Sequence, residues 1–308
     1  DIDKVNHVTT EIRRLIMSHI NNFSGLEYVV LVGNDRALPF RRISDKTPRY
    51  SERTYTSVDS THPTGFALQN DYYLSDDYYV DIDPTNLENG EIYIPDIATG
   101  RLIEAPDDMI RFIDNFLVNP VTEADKIFVS GYDFVQDLAQ TICQSWRTDQ
   151  GNDDSVDCST VGPQWSTETF RDKHLNESPA FSVQSINGHA HHFAEGVPTI
   201  GEDITANEIL ASTTLMDGGL VYTPGCHSGL NVPASNSIGA VDLPEAYFKN
   251  GVNYVANTGY GWGSRNSIAL SEKLMELYTD ALLEDADVSM GKALVLAKTA
   301  YFNRKGEL

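Results

Sequence analysis

Positive charge is scarce in this chain of 308 residues. Only 22 Lys and Arg stand against 45 Asp and Glu, a formal charge of −23. So acidic a surface repels the phosphates of nucleic acids and of anionic membranes, which excludes both as partners. Long apolar runs are absent as well. Nothing approaches the roughly 20 residues that a membrane-crossing helix needs, and the opening DIDKVNHVTTEIRRLI carries no signal-peptide pattern. The chain reads as a soluble piece of a longer, multidomain polypeptide. Cysteine is scarce too, at three residues. Cys143 and Cys158 flank QSWRTDQGNDDSVD, and if they pair they close a loop worth about 3 kcal/mol in the chain-entropy model. A bridge there fits a secreted or cell-surface protein and leaves Cys226 as the odd thiol. Three unpaired thiols in a cytosolic enzyme is the other reading, and spacing alone does not choose between them.

The length allows one large domain or two closely packed ones. Apolar residues at helical spacing (Val5, Val8, Ile12, Leu15, Ile16, Ile20) predict an amphipathic helix. Tyr28–Val32 then reads as a parallel strand buried on both faces, stopped by Gly33-Asn34-Asp35. Residues 41–70 show little periodicity and read as a surface excursion. A helix is predicted from Pro106 to about Val118, with Asp107 and Asp108 at its positive end. The pattern restarts near Asn119-Pro120, so a subdomain boundary is placed at 120–125. Beyond it come a strand at 126–130, a helix at 134–146 and a polar loop to about 179. Strands ending near Ile186, Tyr222 and Ala256 then alternate with helices. Alternation of this kind predicts an α/β fold with a parallel sheet covered on both faces.

Two strand ends carry the chemistry. Leu220, Val221 and Tyr222 run into a Pro-Gly break that delivers Cys226, in GGLVYTPGCHSG. Phe181–Ile186 breaks at Asn187-Gly188 and delivers His189, in INGHAHH. Ligands of open α/β sheets sit beyond the carboxyl ends of the strands. Adjacent strands would therefore hold a thiol and an imidazole side by side, the pairing that thiol catalysis needs. An oxyanion formed there would meet the backbone N–H groups of Cys226 and of Gly188 or Ala190. Two metal readings compete. Asp76, Asp77, Asp81 and Asp83 offer oxygen ligands suited to structural calcium, although their spacing fits no EF-hand, and a solvated acidic loop is the more ordinary reading of them. His189, His191, His192 and Cys226 are zinc-type ligands, but HExxH is absent and a His-x-His-x-Asp-His pattern lacks its Asp.

Taken together, EYVVLVGNDRALPF, DYYLSDDYYVD, YIPDIATGRL, VSGYDF, INGHAHH, GGLVYTPGCHSG and VNYVANTGYGWGS resemble the gingipain family of cysteine endopeptidases, in the caspase-like clan. The resemblance spans nearly the whole chain. It implies two side-by-side α/β subdomains with mostly parallel sheets covered by helices, 1–122 supporting and 123–308 catalytic. It also implies a Cys226–His189 dyad that cuts polypeptides and needs no cofactor for its chemistry. VSGYDF aligns with the turn where arginine-specific members keep an acidic residue at the floor of their pocket, and NTGYGWGS with the segment whose Trp covers it. Asp133 and Trp262 occupy those positions, which implies cleavage after Arg, with Lys weaker because an ammonium cannot match the guanidinium fork. Asp133 also suits the N-cap of the helix opening at Phe134. Ala190 stands where the family has Gly after the catalytic His. That departure keeps open an alternative, a degenerate relative serving as a binding or scaffolding module. The family's acidic residue behind the catalytic His has no motif match in this chain.

Overall fold

The computed structural model describes every residue except 24, 88–89, 152, 200, 234–240 and 305–308. The chain divides into two compact units, Asp1–Ile103 with the stretch from Asp285 onward, and Glu104–Glu284.

In the first unit the opening helix, α1 (Ile2–Asn22), is capped by Asp1, whose carboxylate accepts the Lys4 N–H. Its Ile12, Ile16 and Ile20 pack against a core of Leu31, Tyr78, Tyr79, Val80 and Ile97. Strand β1 (Tyr28–Val32) is present where expected, but its setting differs. Leu31 is buried, while Tyr28, Val30 and Val32 are 55%, 60% and 57% exposed. The cause is alternation: the face bearing Leu31 meets the core and the other face, among the described residues, stays open. The expected surface excursion is structured as well. Strand β2 (Arg41–Ser44) pairs antiparallel with β3 (Tyr72–Ser75), and a helix covers Pro63–Gln69. Arg42 is buried because it bonds both oxygens of Asp35 at 2.6 Å, and Thr64 Oγ1 donates to the same carboxylate. A polar core pair of this kind leaves no hydrophobic periodicity to read.

The acidic residues weighed for calcium are engaged separately. Asp76 takes the Arg101 fork at 2.5 and 2.8 Å, and Asp77 binds Lys298 at 2.7 Å. Asp81 accepts the Ile94 N–H at 2.7 Å, and Asp83 is exposed. No cluster of three or more His, Cys, Asp or Glu able to hold a metal occurs among the described residues. Arg101 reaches Asp76 from β4 (Ala98–Leu102), which pairs parallel with β1.

The second unit opens with α2 (Pro106–Val118), whose Phe112 stacks on Phe248 at 5.0 Å. Its sheet comprises β5 (Ile127–Gly131), β6 (Val156–Val161), β7 (Val183–Asn187), β8 (Leu220–Thr223) and β9 (Asn253–Ala256), with α3 (Gln136–Gln150) following β5. The strand order is β9-β8-β7-β5-β6, all parallel. Strands β5, β7 and β8 are buried along their whole length, as parallel strands covered on both faces must be. Helix α4 (Leu243–Lys249) adds Leu243, Ala246 and Tyr247 to a core with Phe128, Phe170, Ile186 and Val221. Strand β6 falls where a loop was expected. It is an edge strand with partly exposed, polar residues, and Cys158 on it forms a disulfide with Cys143 of α3, Cα atoms 6.4 Å apart.

The division departs from the expected 1–122 and 123–308 by two helices. Helix α2 belongs with the second unit, through Phe112 and through Arg111, which donates to the Lys249 carbonyl. The last helix, Met290–Asn303, returns to the first unit, where Lys298 meets Asp77. Among the described residues no helix is long and apolar enough to cross a membrane.

Candidate active site

From β5 the chain moves outward to β6, whereas from β7 it moves the other way, to β8 and β9. The strand order therefore reverses between β5 and β7, and a crevice opens there at the carboxyl ends. Asp133 follows β5, His189 follows β7 and Cys226 follows β8, so three sequence-distant turns converge on it. His189 and Cys226 line one recess together with Phe134, Gly188, Trp262 and Glu272.

The Cys226 turn is held from below by its neighbours. The Asn257 side chain donates to the Pro224 carbonyl at 2.7 Å, the His227 N–H to Gly259 at 2.7 Å and the Gly229 N–H to Asn257 at 2.8 Å. His227 adopts φ +52°, a costly conformation for a side chain of its size, and persists because these bonds over-determine it. The thiol donates to the Gly261 carbonyl at 3.4 Å. Gly261 is needed for that approach, since a Cβ there would sit 1.9 Å from the Pro224 oxygen.

The His189 ring lies against Phe134, with centroids 5.2 Å apart, and its carbonyl accepts the Gly196 N–H at 2.7 Å. Its Nε2 lies 3.3 Å from Asp133 Oδ2, both side chains being about half exposed. Asp133 therefore stands beside the imidazole. It does not cap the short helix at Asp133–Val135, and it is not among the residues lining the recess. Its φ of +54° is tolerated by Asp better than by most residues, and it turns the carboxylate back toward β7. Behind the ring, burial pushes the Tyr132 phenol up to about 12, so it stays a neutral wall.

The two turns also touch. A Cβ on Gly225 would lie 2.6 Å from the Ala190 Cβ and 3.4 Å from the Gly188 carbonyl. Gly188 and Ala190 thus come up against the thiol turn. Ala190 is accommodated because residue 225 has no side chain. The other histidines stand apart from this chemistry. His192 is buried against Phe193 with ring centroids 3.6 Å apart, and burial lowers its pKa to about 3. His191 accepts the Phe193 N–H at Nδ1 and is lowered by burial too. The His189, His191, His192 and Cys226 set considered for zinc is therefore not gathered, consistent with the lack of a metal-holding cluster among the described residues.

Glu272 lay outside the sequence reading. It sits in the first turn of α5 (Ser271–Glu284), ten positions after Trp262, where an acid looks like ordinary helix-dipole chemistry. Trp262 is fixed to that helix start by two bonds with Ser271, at 3.0 and 2.9 Å.

A family model for peptidase family C25 matches residues 2–307. A comparison with curated proteins returns no match. Among solved structures, one titled "Structure of Protease" is similar in fold, with a TM-score of 0.59 and 16% identity; the match covers 96% of this chain and 63% of that one. The chain thus spans less than two thirds of that structure's length. A near-complete family match, on a parallel sheet whose adjacent strand ends present a thiol and an imidazole, makes this chain a member of peptidase family C25, the gingipain family of cysteine peptidases.

Proposed function

We propose that this protein is a thiol endopeptidase that hydrolyses polypeptides next to a basic residue, with Cys226 as nucleophile and His189 as its base. The observation that carries the reading is the shared recess: Cys226 and His189 leave neighbouring parallel strands and line one cavity. His189 takes the thiol proton, and the thiolate attacks the scissile carbonyl. The oxyanion is held by backbone N–H groups of the Cys226 turn and of the Gly188–Ala190 turn. The amine leaves with the proton from His189, and water then opens the acyl-enzyme. Asp133, 3.3 Å from His189 Nε2, keeps the imidazole oriented. The disulfide supports a secreted or cell-surface location.

A degenerate binding module is the second reading, motivated by Ala190. The vacancy at Gly225 that receives the Ala190 methyl weighs against it. A peptidyl acyloxymethyl ketone decides between them: it labels Cys226 stoichiometrically at neutral pH in an enzyme and leaves it untouched in a module. Cys226→Ala should abolish both labelling and peptide cleavage without unfolding the protein, and turnover retained in that variant removes the proposal.

A further inference from the structure

A hairpin of two very short strands, Ala190–His191 and Ala194–Glu195, follows His189 directly. So short a ladder does not hold its own shape. It is nevertheless fixed beside the chemistry: the Gly196 N–H donates to the His189 carbonyl at 2.7 Å, and Ala190 comes up against Gly225 of the thiol turn. Its anchor is a buried carboxylate for which bond cleavage itself has no use. Glu195 is 2% exposed, and its Oε1 accepts the Tyr247 hydroxyl of α4 at 2.6 Å. Oε2 faces His174 Nε2 at 3.3 Å, and that ring also meets the Tyr247 oxygen at 2.9 Å and Gln184 Oε1 at 2.7 Å. His174, Gln184 and Tyr247 are buried as well. The network therefore joins the hairpin to α4, to the helical turn Asp172–Asn176 and to β7, the strand that delivers His189.

We propose that Glu195 is a positioning residue for catalysis: through Tyr247 and His174 it sets the His189–Ala190 turn against Cys226. The inference rests on the peptidase reading for the reaction it serves. Register supplies the link. Ala190 and Glu195 stand directly opposite in an antiparallel pair, so their side chains leave the hairpin on the same face. The face that meets the thiol turn through the Ala190 methyl is thus the face that the carboxylate pins to the core. Stability alone gives no reason for a charge here. Replacing a buried ion pair with apolar side chains of like volume is often neutral or stabilising, whereas charge-assisted hydrogen bonds hold one geometry. Helix α4 adds a second tie, the Leu243 N–H on the His192 carbonyl at 2.8 Å, at the tip of the same hairpin.

The test separates positioning from packing. In Tyr247→Phe the ring packing stays and one bond to Glu195 goes. There kcat on a peptide amide should fall about tenfold, the worth of one hydrogen bond to a charged group, with KM unchanged. Glu195→Met fills the same space without any bond and should lower kcat about 100-fold, as a displacement of about 1 Å between reacting groups does. Glu195→Gln should recover activity to within about fivefold of the wild type, because its amide can accept the Tyr247 proton and donate to His174 Nε2. The rate at which iodoacetamide alkylates Cys226 at pH 7 should fall in the same order, since it reads how well His189 helps to form the thiolate. A role confined to stability would lower the thermal midpoint and leave both rates of the folded protein alone, and that result overturns the proposal. So does an effect on KM only, or a Glu195→Gln protein as impaired as Glu195→Met. Tyr247→Phe decides the matter even if Glu195→Met does not fold. Absence of turnover in every protein, with the alkylation order intact, overturns the peptidase reading and supports the role of Glu195.

Discussion

Gly225→Ala tests whether the two catalytic turns must touch. The added Cβ would lie 2.6 Å from the Ala190 Cβ and 3.1 Å from Thr223 Oγ1. Carbon atoms in contact prefer separations of about 3.5–4.0 Å, so the turns must part by about 1 Å. Neither turn can yield freely. The Cys226 turn is bonded to the loop after β9, and Thr223 Oγ1 already accepts the Gly225 N–H at 3.0 Å. A displacement of about 1 Å between reacting groups costs on the order of 100-fold in rate. We therefore expect kcat/KM on a peptide amide to fall by that factor while the protein stays folded, with the thermal midpoint recorded as control. Ala190→Gly removes the closer clash. Adding it to Gly225→Ala should restore most of the activity, and Ala190→Gly alone should have little effect, so the two changes show strong coupling in a double-mutant cycle. A fully active Gly225→Ala protein, or a double variant as impaired as the single one, would refute the reasoning.

Two further outcomes are expected. Asp133→Asn should lower kcat by no more than about fivefold, equally on Lys and Arg substrates and with KM unchanged, because the His189 pair is half exposed and such pairs are worth about 0.2–1 kcal/mol; a loss confined to Arg substrates would return Asp133 to the pocket floor. His192, lowered by burial from 6.5 to about 3, stays neutral in the folded protein while the unfolded chain takes up a proton below pH 6.5. Its contribution to stability is complete above that pH and falls by about 1.4 kcal/mol per unit as the pH drops toward 3. Urea unfolding at pH 7 and 5.5 should show a steeper acid loss in the wild type than in His192→Gln, and equal slopes would count against it.

The thiol and the imidazole were legible because each follows a short apolar run ended by a glycine break, a pattern that places a side chain at a strand end whatever the distant packing. The adjacency of β7 and β8 followed from alternating strands and helices. Asp133 was legible as a residue, but its place beside His189 was not, since that depends on a φ of +54° that no local pattern encodes. Glu272 was hidden by an ordinary setting, an acid in the first turn of a helix. Strand β6 was missed because an edge strand need not be apolar. In β1 the run YVVLV suggested burial on both faces, although only the Leu31 face found a partner among the described residues. The return of the last helix to the first unit depends on contacts that the order of residues along the chain does not encode.

The dispersal of the site from Asp133 to Glu272, across the ends of four parallel strands, has a consequence for when activity appears. Parallel strands cannot pair until their crossovers have formed, and contacts far apart in sequence close late in folding. A ribosome-bound or truncated chain that has made β5 and β7 but lacks β8 holds an imidazole and no nucleophile; one that ends before α5 lacks the Glu272 carboxylate. Under the proposed function, cleavage therefore cannot begin until the growing chain has passed β8 and delivered Cys226.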